Sequence, residues 1–160
     1  MTTFRSRTFG DVGVAADGAY VTREVALGSR AITRSLFIGM ELEQGVLDRA
    51  ARLVDTLETL DARARQAIQS DTRDVPAYVF FHLEELEDAV LREIFGAERK
   101  AIDRAAFVAR FDLVGVGVHA REPESFALVL DYSVGRAHTD QIIAVSFDME
   151  GRAIGLCQES

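Results

Sequence analysis

The hydrophobic period of this chain changes twice along its length, and that change limits what it can fold into. In "AYVTREVALGSRAITRSLFIG" (19–39) every second residue belongs to one set: Val21, Arg23, Val25 and Leu27, then Ile32, Arg34, Leu36 and Ile38. Alternation of this kind is the mark of strands, and Gly28-Ser29 between the two runs marks a hairpin with a tight two-residue turn. From Glu43 to Gln69 the apolar residues Val46, Leu47, Ala50, Leu53, Val54, Leu57, Leu60, Ala64, Ala67 and Ile68 instead fall at steps of three and four. That spacing predicts one long amphipathic helix over 43–69.

The break "SDTRDVP" follows, with Asp74 as an N-cap and Pro76 tolerated in a first turn. A second helix is expected over about 75–95, with Val79, Leu83, Leu86, Val90 and Ile94 inward and Gly96 as its C-terminal cap. "DRAAFVARF" (103–111) suits a short third helix. Period-2 alternation then returns in "LVGVGVHA", "SFALVLDY", "QIIAVSFD" and "RAIGLCQ", with a glycine turn at Asp148–Gly151. "FRSRTFG" near the start suits a short edge strand, its arginines discouraging edge pairing.

Strands, then helices, then strands, without βαβ alternation, predict an α+β fold. The expected parts are an N-terminal β-hairpin of two to three strands, two long helices plus a short one, and a C-terminal antiparallel meander of three to four strands over 112–158. One layer of helices would cover a mainly antiparallel sheet. The length of 160 residues suits a single globular domain, 1–160, with a core that needs no staple.

Composition narrows the partners. The formal charge is −8, and residues 1–40 carry five arginines against three acids, so the acidity lies in the remainder. An acidic body repels nucleic acid and anionic lipid, so neither is expected as a partner; a protein partner or self-association remains open. The one cysteine, Cys157, can form no internal disulfide, which fits a reducing compartment and a cytoplasmic location. Neither an apolar leader nor a membrane-length apolar run is present. Lys100 is the only lysine among 18 basic residues, a bias typical of GC-rich bacterial genomes.

The polar cluster in "DYSVGRAHTDQIIAVSFDMEGRAIGL" (131–156) gathers the candidate site residues Asp131, Tyr132, Arg136, His138, Thr139, Asp140 and Gln141. Ser133, His138 and Asp140 have the residue types of a hydrolytic triad, but a single short connection can hardly fold into triad geometry, and there is no G-x-S-x-G elbow. An ordered loop is the simpler account. Asp131, Thr139 and Asp140 would accept backbone N–H bonds at strand ends, and Gly135 would turn the chain. His82 and Glu85 stand at i and i+3 on the second helix and can point together. A metal site would need further ligands that the helices lack, so no metal and no cofactor are expected. Tyr78 and Phe81 lie off the inward stripe of that helix and, with Phe80, make its first turn apolar all round. Such a turn is either covered on both sides or an exposed aromatic patch for a partner.

With "FHLEEL" in the second helix and the motif D-Y-S-x-G-x-x-x-T-D-Q-x-x-x-V-x-F-D-x-x-G near the end, the chain resembles an uncharacterised bacterial family of short cytosolic proteins. The resemblance implies a stand-alone bacterial domain and places Asp131, Tyr132, Gly135, Thr139, Asp140 and Gln141 on the pattern. It brings no activity with it. Two functions are therefore carried forward: a non-catalytic protein-interaction module, of inhibitory or immunity type, and a small enzyme or small-ligand binder at the 131–141 loop near His82. A concave pocket joining the histidines to the loop would favour the second, and a flat acidic or aromatic face the first.

Overall fold

The computed structural model describes residues 1–122 and 124–160. Strands β1 (Thr2–Ser6), β2 (Gly10–Val14), β3 (Ala19–Leu27) and β4 (Arg30–Ile38) come first. Helices α1 (Gln44–Val54), α2 (Leu57–Ser70), α3 (Asp74–Glu85) and α4 (Asp88–Phe95) follow, then a 3₁₀ turn (Arg99–Ala101) and α5 (Arg104–Val108). Strands β5 (Asp112–Glu122), β6 (Ser125–Ser133), β7 (Ile142–Phe147) and β8 (Ala153–Glu159) complete the chain. The fold is α+β, with helices packed on a sheet. Buried apolar residues from Phe4 to Phe147 form one continuous core. Among the described residues no helix is long and apolar enough to cross a membrane.

The main sheet runs β3-β4-β5-β6-β7-β8. Both hairpin expectations hold: Leu27 pairs with Arg30 around Gly28 at φ 61°, and Gly151 takes φ 76° after β7. The sheet is mixed, however. β4 and β5 are parallel, Leu36 opposite Val116, because the helices return the chain to the start of β5 on the far side of the hairpin. The N-terminal segment does not extend this sheet either. β1 pairs with β2 as a separate ribbon that buries Phe4, Val12 and Val14 and packs on α1 through β1.

Each expected long helix is two helices. The first breaks at Asp55 and Thr56, where the turn after β1 docks. Asp55 Oδ1 accepts bonds from Ser6 Oγ (2.6 Å), Thr8 N (3.0 Å) and Thr8 Oγ1 (3.0 Å), and Oδ2 accepts from Arg7 N (3.1 Å). Burial opposes ionisation of Asp55, but these donors outweigh it and hold the carboxyl below its ordinary 3.8. We expect Asp55→Ala to lower the urea midpoint by an amount equivalent to about 2 kcal/mol, with Asp55→Asn milder. An unchanged midpoint would mean that the ribbon is held by its apolar face alone.

The second helix breaks at Leu86 and Glu87, both extended (ψ 137° and 150°). Arg99 fixes the kink, donating to Leu86 O (2.8 Å) and to Asp88 Oδ1 (3.0 Å). The kink re-aims α4, so Leu91 and Phe95 are buried while Val90 and Ile94 are only half-buried. Gly96 caps α4 at φ 65°, as its position foretold. Asp74 is not the cap of α3. Asp71 takes that part, its Oδ2 accepting from Arg73 N and Val75 N (3.0 and 2.8 Å).

Candidate functional site

The loop between β6 and β7 is built from the inside out. His138 N and Thr139 N both donate to Gly135 O, closing one helical turn. Gly135 has no positive φ; a Cβ there would lie 2.8 Å from Ile94 Cδ1 on α4, so the tip of that side chain would have to shift. Two side chains of α3 then pin the far end of the loop. Tyr78 donates its hydroxyl to Gln141 O (3.0 Å), and His82 Nε2 lies 2.8 Å from Thr139 Oγ1.

The tautomer of His82 follows from its partners. Nδ1 sits 2.7 Å from Tyr78 O, and a carbonyl only accepts, so Nδ1 carries the proton. Nε2 therefore accepts from the Thr139 hydroxyl, and Thr139 Oγ1 in turn accepts from Gln141 N (3.1 Å). Burial pushes the His82 pKa below 6.5, with the Tyr78 carbonyl opposing, so the ring is neutral at pH 7. It stacks on Tyr78, centroids 4.0 Å apart, with Phe81 edge-on at 5.1 Å. Both ring nitrogens are engaged, so His82 holds the loop and cannot ligate a metal as it stands. Among the described residues no group of three or more His, Cys, Asp or Glu is placed to hold a metal ion.

Between α3, the loop and the end of the sheet lies a cleft of about 770 Å³. Its lining joins Phe81, His82 and Glu85 of α3, Asp131 of β6, and Arg136, His138, Thr139 and Asp140 of the loop. Eight of the eleven site residues expected from sequence thus converge. Tyr78, Gln141 and Tyr132 do not line the cleft. Tyr78 and Gln141 stand just behind it, as the pin just described. Tyr132 points away, being fully buried on the opposite face of the sheet, with its hydroxyl on Asp61 Oδ1 (2.7 Å) and the Arg65 guanidinium over its ring. Burial first, and then Asp61, raises the Tyr132 pKa far above 10.

Asp131 departs most from expectation. Neither Asp131 nor Asp140 accepts a backbone N–H among the described residues; Asp140 Oδ1 takes only the Gln141 side-chain amide (3.2 Å). The loop's acceptors are hydroxyls instead, Ser133 Oγ for Gly135 N and Thr139 Oγ1 for Gln141 N. Asp131 belongs to a row of facing residues across the sheet, Ser35–Gly115–Asp131–Ala144–Cys157. Its carboxylate leans over Gly115, where a Cβ would sit 3.4 Å from Oδ2. It has no hydrogen-bond partner among the described residues. Burial, and then the charge of Glu159, raises its pKa from 3.8 to about 6, with Arg136 pulling the other way.

The triad types do not assemble. Ser133 is buried, and His138 pairs with Glu93 of α4 at 3.3 Å. His119 does not line the cleft; it lies over Gly117 on the Asp131 face of the sheet, tilted against Phe37 with centroids 5.4 Å apart. Sequence reasoning missed Glu159 and Cys157, which reach the Asp131 row from β8. The turn at Gly151 carries the only hint of them, because it sets the register that brings Cys157 opposite Ala144. Cys157 donates its thiol to Glu159 Oε1 (3.1 Å). Burial, that bond and nearby acids push its pKa up to about 11, so it is no nucleophile at neutral pH. Comparison with protein-family models, with curated proteins and with solved structures found no match to this chain.

Proposed function

We propose that this chain is a small-ligand-binding domain whose cleft takes a small organic cation, an amine or a guanidinium compound, on Asp131. The observation that carries the reading is the unpaired, half-buried carboxylate on the cleft wall. An acid in that state is unfavourable for folding, and such groups concentrate where a ligand completes them. Charge gives the sign of the ligand. Glu85, Asp131 and Asp140 face the cleft against Arg136, while His138 is engaged with Glu93. Phe81 adds a half-exposed ring beside them, a surface suited to a cation. The cleft volume is that of an ordinary small-molecule site.

A second reading, the protein-interaction module expected from sequence, draws on Phe80 and Phe81. They are 70% and 43% exposed on α3, next to Glu84 and Glu85. Phe81 already has a use in the cleft, so only Phe80 speaks for a flat protein-binding face.

One titration separates the two. Butylamine, butylguanidinium and tetramethylammonium, with butyrate as control, are followed by amide NMR shifts. We expect at least one cation to move residues 131 and 136–141 in a saturable way, and Asp131→Asn to weaken it about tenfold or more, some 1.4 kcal/mol. Cations that leave these residues unmoved, or bind the Asn variant equally well, would refute the ligand reading.

A further inference from the structure

On the other side of the 135–138 turn lies a second cleft, of about 840 Å³, and we propose that it binds a phosphate dianion or the phosphoryl group of a small phosphate monoester. Five arginines line it, from four separate parts of the chain: Arg30 and Arg34 of β4, Arg65 of α2, Arg110 after α5 and Arg136 of the loop. In a chain of formal charge −8 with 18 basic residues, that is a strong local concentration.

Four acids share the lining, and most of them are already engaged. Asp112 holds Arg34 at 2.7 Å, Asp61 holds Arg65 at 3.0 Å, and Glu93 faces His138 at 3.3 Å. Among the described residues Arg30, Arg110 and Arg136 have neither an ion pair nor a side-chain hydrogen bond, and Glu58 is the one acid of the lining without a partner. Five guanidinium groups stand against four carboxylates, since His138 offsets Glu93 only when protonated, so the lining keeps a net positive charge and three free guanidinium forks. Three free forks suit an anion with several oxygens. A single carboxylate would fill one guanidinium fork and leave the others repelling each other, whereas the oxygens of a phosphate can engage several forks at once. Arg34 adds donor capacity: its Nε–H is buried without an acceptor among the described residues, so its pairing with Asp112 leaves it incompletely bonded. The volume exceeds what inorganic phosphate fills, leaving room for an organic substituent.

This site does not depend on the Asp131 reading. The two clefts share only turn residues, and the test avoids them. Inorganic phosphate, acetate and citrate are titrated at matched ionic strength in sodium chloride, read by NMR at residues 30, 34 and 110. Phosphate should saturate with a Kd on the order of 1 mM, the range of a few exposed charge-assisted contacts. The double variant Arg30→Gln/Arg110→Gln should weaken it about tenfold or more. Both side chains are exposed and unpaired, so the fold should survive, and circular dichroism checks that it does. Arg5→Gln on β1 serves as the charge control and should bind as the wild type does. Four results would each overturn the proposal: phosphate that never saturates, equal affinity in the double variant, equal loss in Arg5→Gln, or tighter binding of acetate or citrate at the same residues.

Discussion

Asp131→Asn should be more stable than the wild type at pH 7.5, by up to about 3 kcal/mol, and the gain should vanish as the pH falls. The carboxyl titrates at about 6 in the folded chain against an ordinary 3.8, first because it is buried and then because Glu159 repels it. At 1.36 kcal/mol for each pH unit of difference, the ionised carboxylate opposes folding by about 3 kcal/mol once the pH is well above 6. Between about 4 and 6 the folded state binds more protons than the unfolded one, so wild-type stability falls as the pH rises through that window. Asparagine carries no charge and avoids the penalty. In a chain of this length the gain at pH 7.5 corresponds to a Tm higher by roughly 6–12 °C, and at pH 4 the two proteins should melt together. Glu159→Gln should deliver a smaller share of the same gain, and less again in the Asp131→Asn background, because it acts through the same charge. Equal melting of Asp131→Asn and wild type at pH 7.5 would show the carboxylate to be compensated, and the case for a ligand there would go with it. A gain in stability paired with a loss of cation binding is the trade expected of a functional site.

What the sequence disclosed, and what it hid, divides by the range of the physics involved. Gly28, Gly96 and Gly151 all take positive φ in the turns and cap where they were expected, because that requirement is local. The period-2 runs became strands for the same reason. The break at Asp55 left no trace, since Val54, Leu57 and Leu60 continue the apolar stripe straight across it. Asp55 is recruited by a turn nearly fifty residues earlier, and a polar residue on the outer side of a helix looks the same whether or not something docks on it. The parallel β4–β5 pair was hidden likewise: alternation tells which residues share a face, not which strand lies next to which.

The site follows the same division. Its members were visible as a polar cluster, but their roles were not. Grouping Asp131 with Tyr132 followed the motif and ignored the pleat, which sends neighbouring side chains to opposite faces. Leu128, Leu130 and Tyr132 already formed one face, and that alternation places Tyr132 in the core beside Asp61. The unusual state of Asp131 comes from its burial over Gly115 and from Glu159, against the pull of Arg136, and none of these residues is on its own strand. No short pattern encodes that arrangement; the sheet register does.

The loop that carries the cleft hangs on His82, and His82→Ala should cost about 3–5 kcal/mol. The ring is 1% exposed, so its loss leaves a cavity and also strips the Tyr78 carbonyl and the Thr139 hydroxyl of their partners. Thr139→Val removes only the hydroxyl and should cost about 1–2 kcal/mol, leaving His82 Nε2 and Gln141 N unpaired. The double variant should cost clearly less than the two single losses added, because each substitution removes the same bond. Acid sensitivity gives a second readout with the opposite sign from Asp131. Burial holds the His82 pKa below 6.5, so its contribution is complete above 6.5 and is lost as the pH falls through the folded pKa, when the unfolded chain takes up the proton more readily. His82→Gln should flatten that part of the stability profile, while Asp131→Asn removes the opposing rise between 6 and 4. Urea midpoints of the single and double variants at pH 7.5 and 5 test both claims. Additive losses, or a wild-type midpoint in His82→Ala, would show that α3 and the loop are held together by something other than this bond.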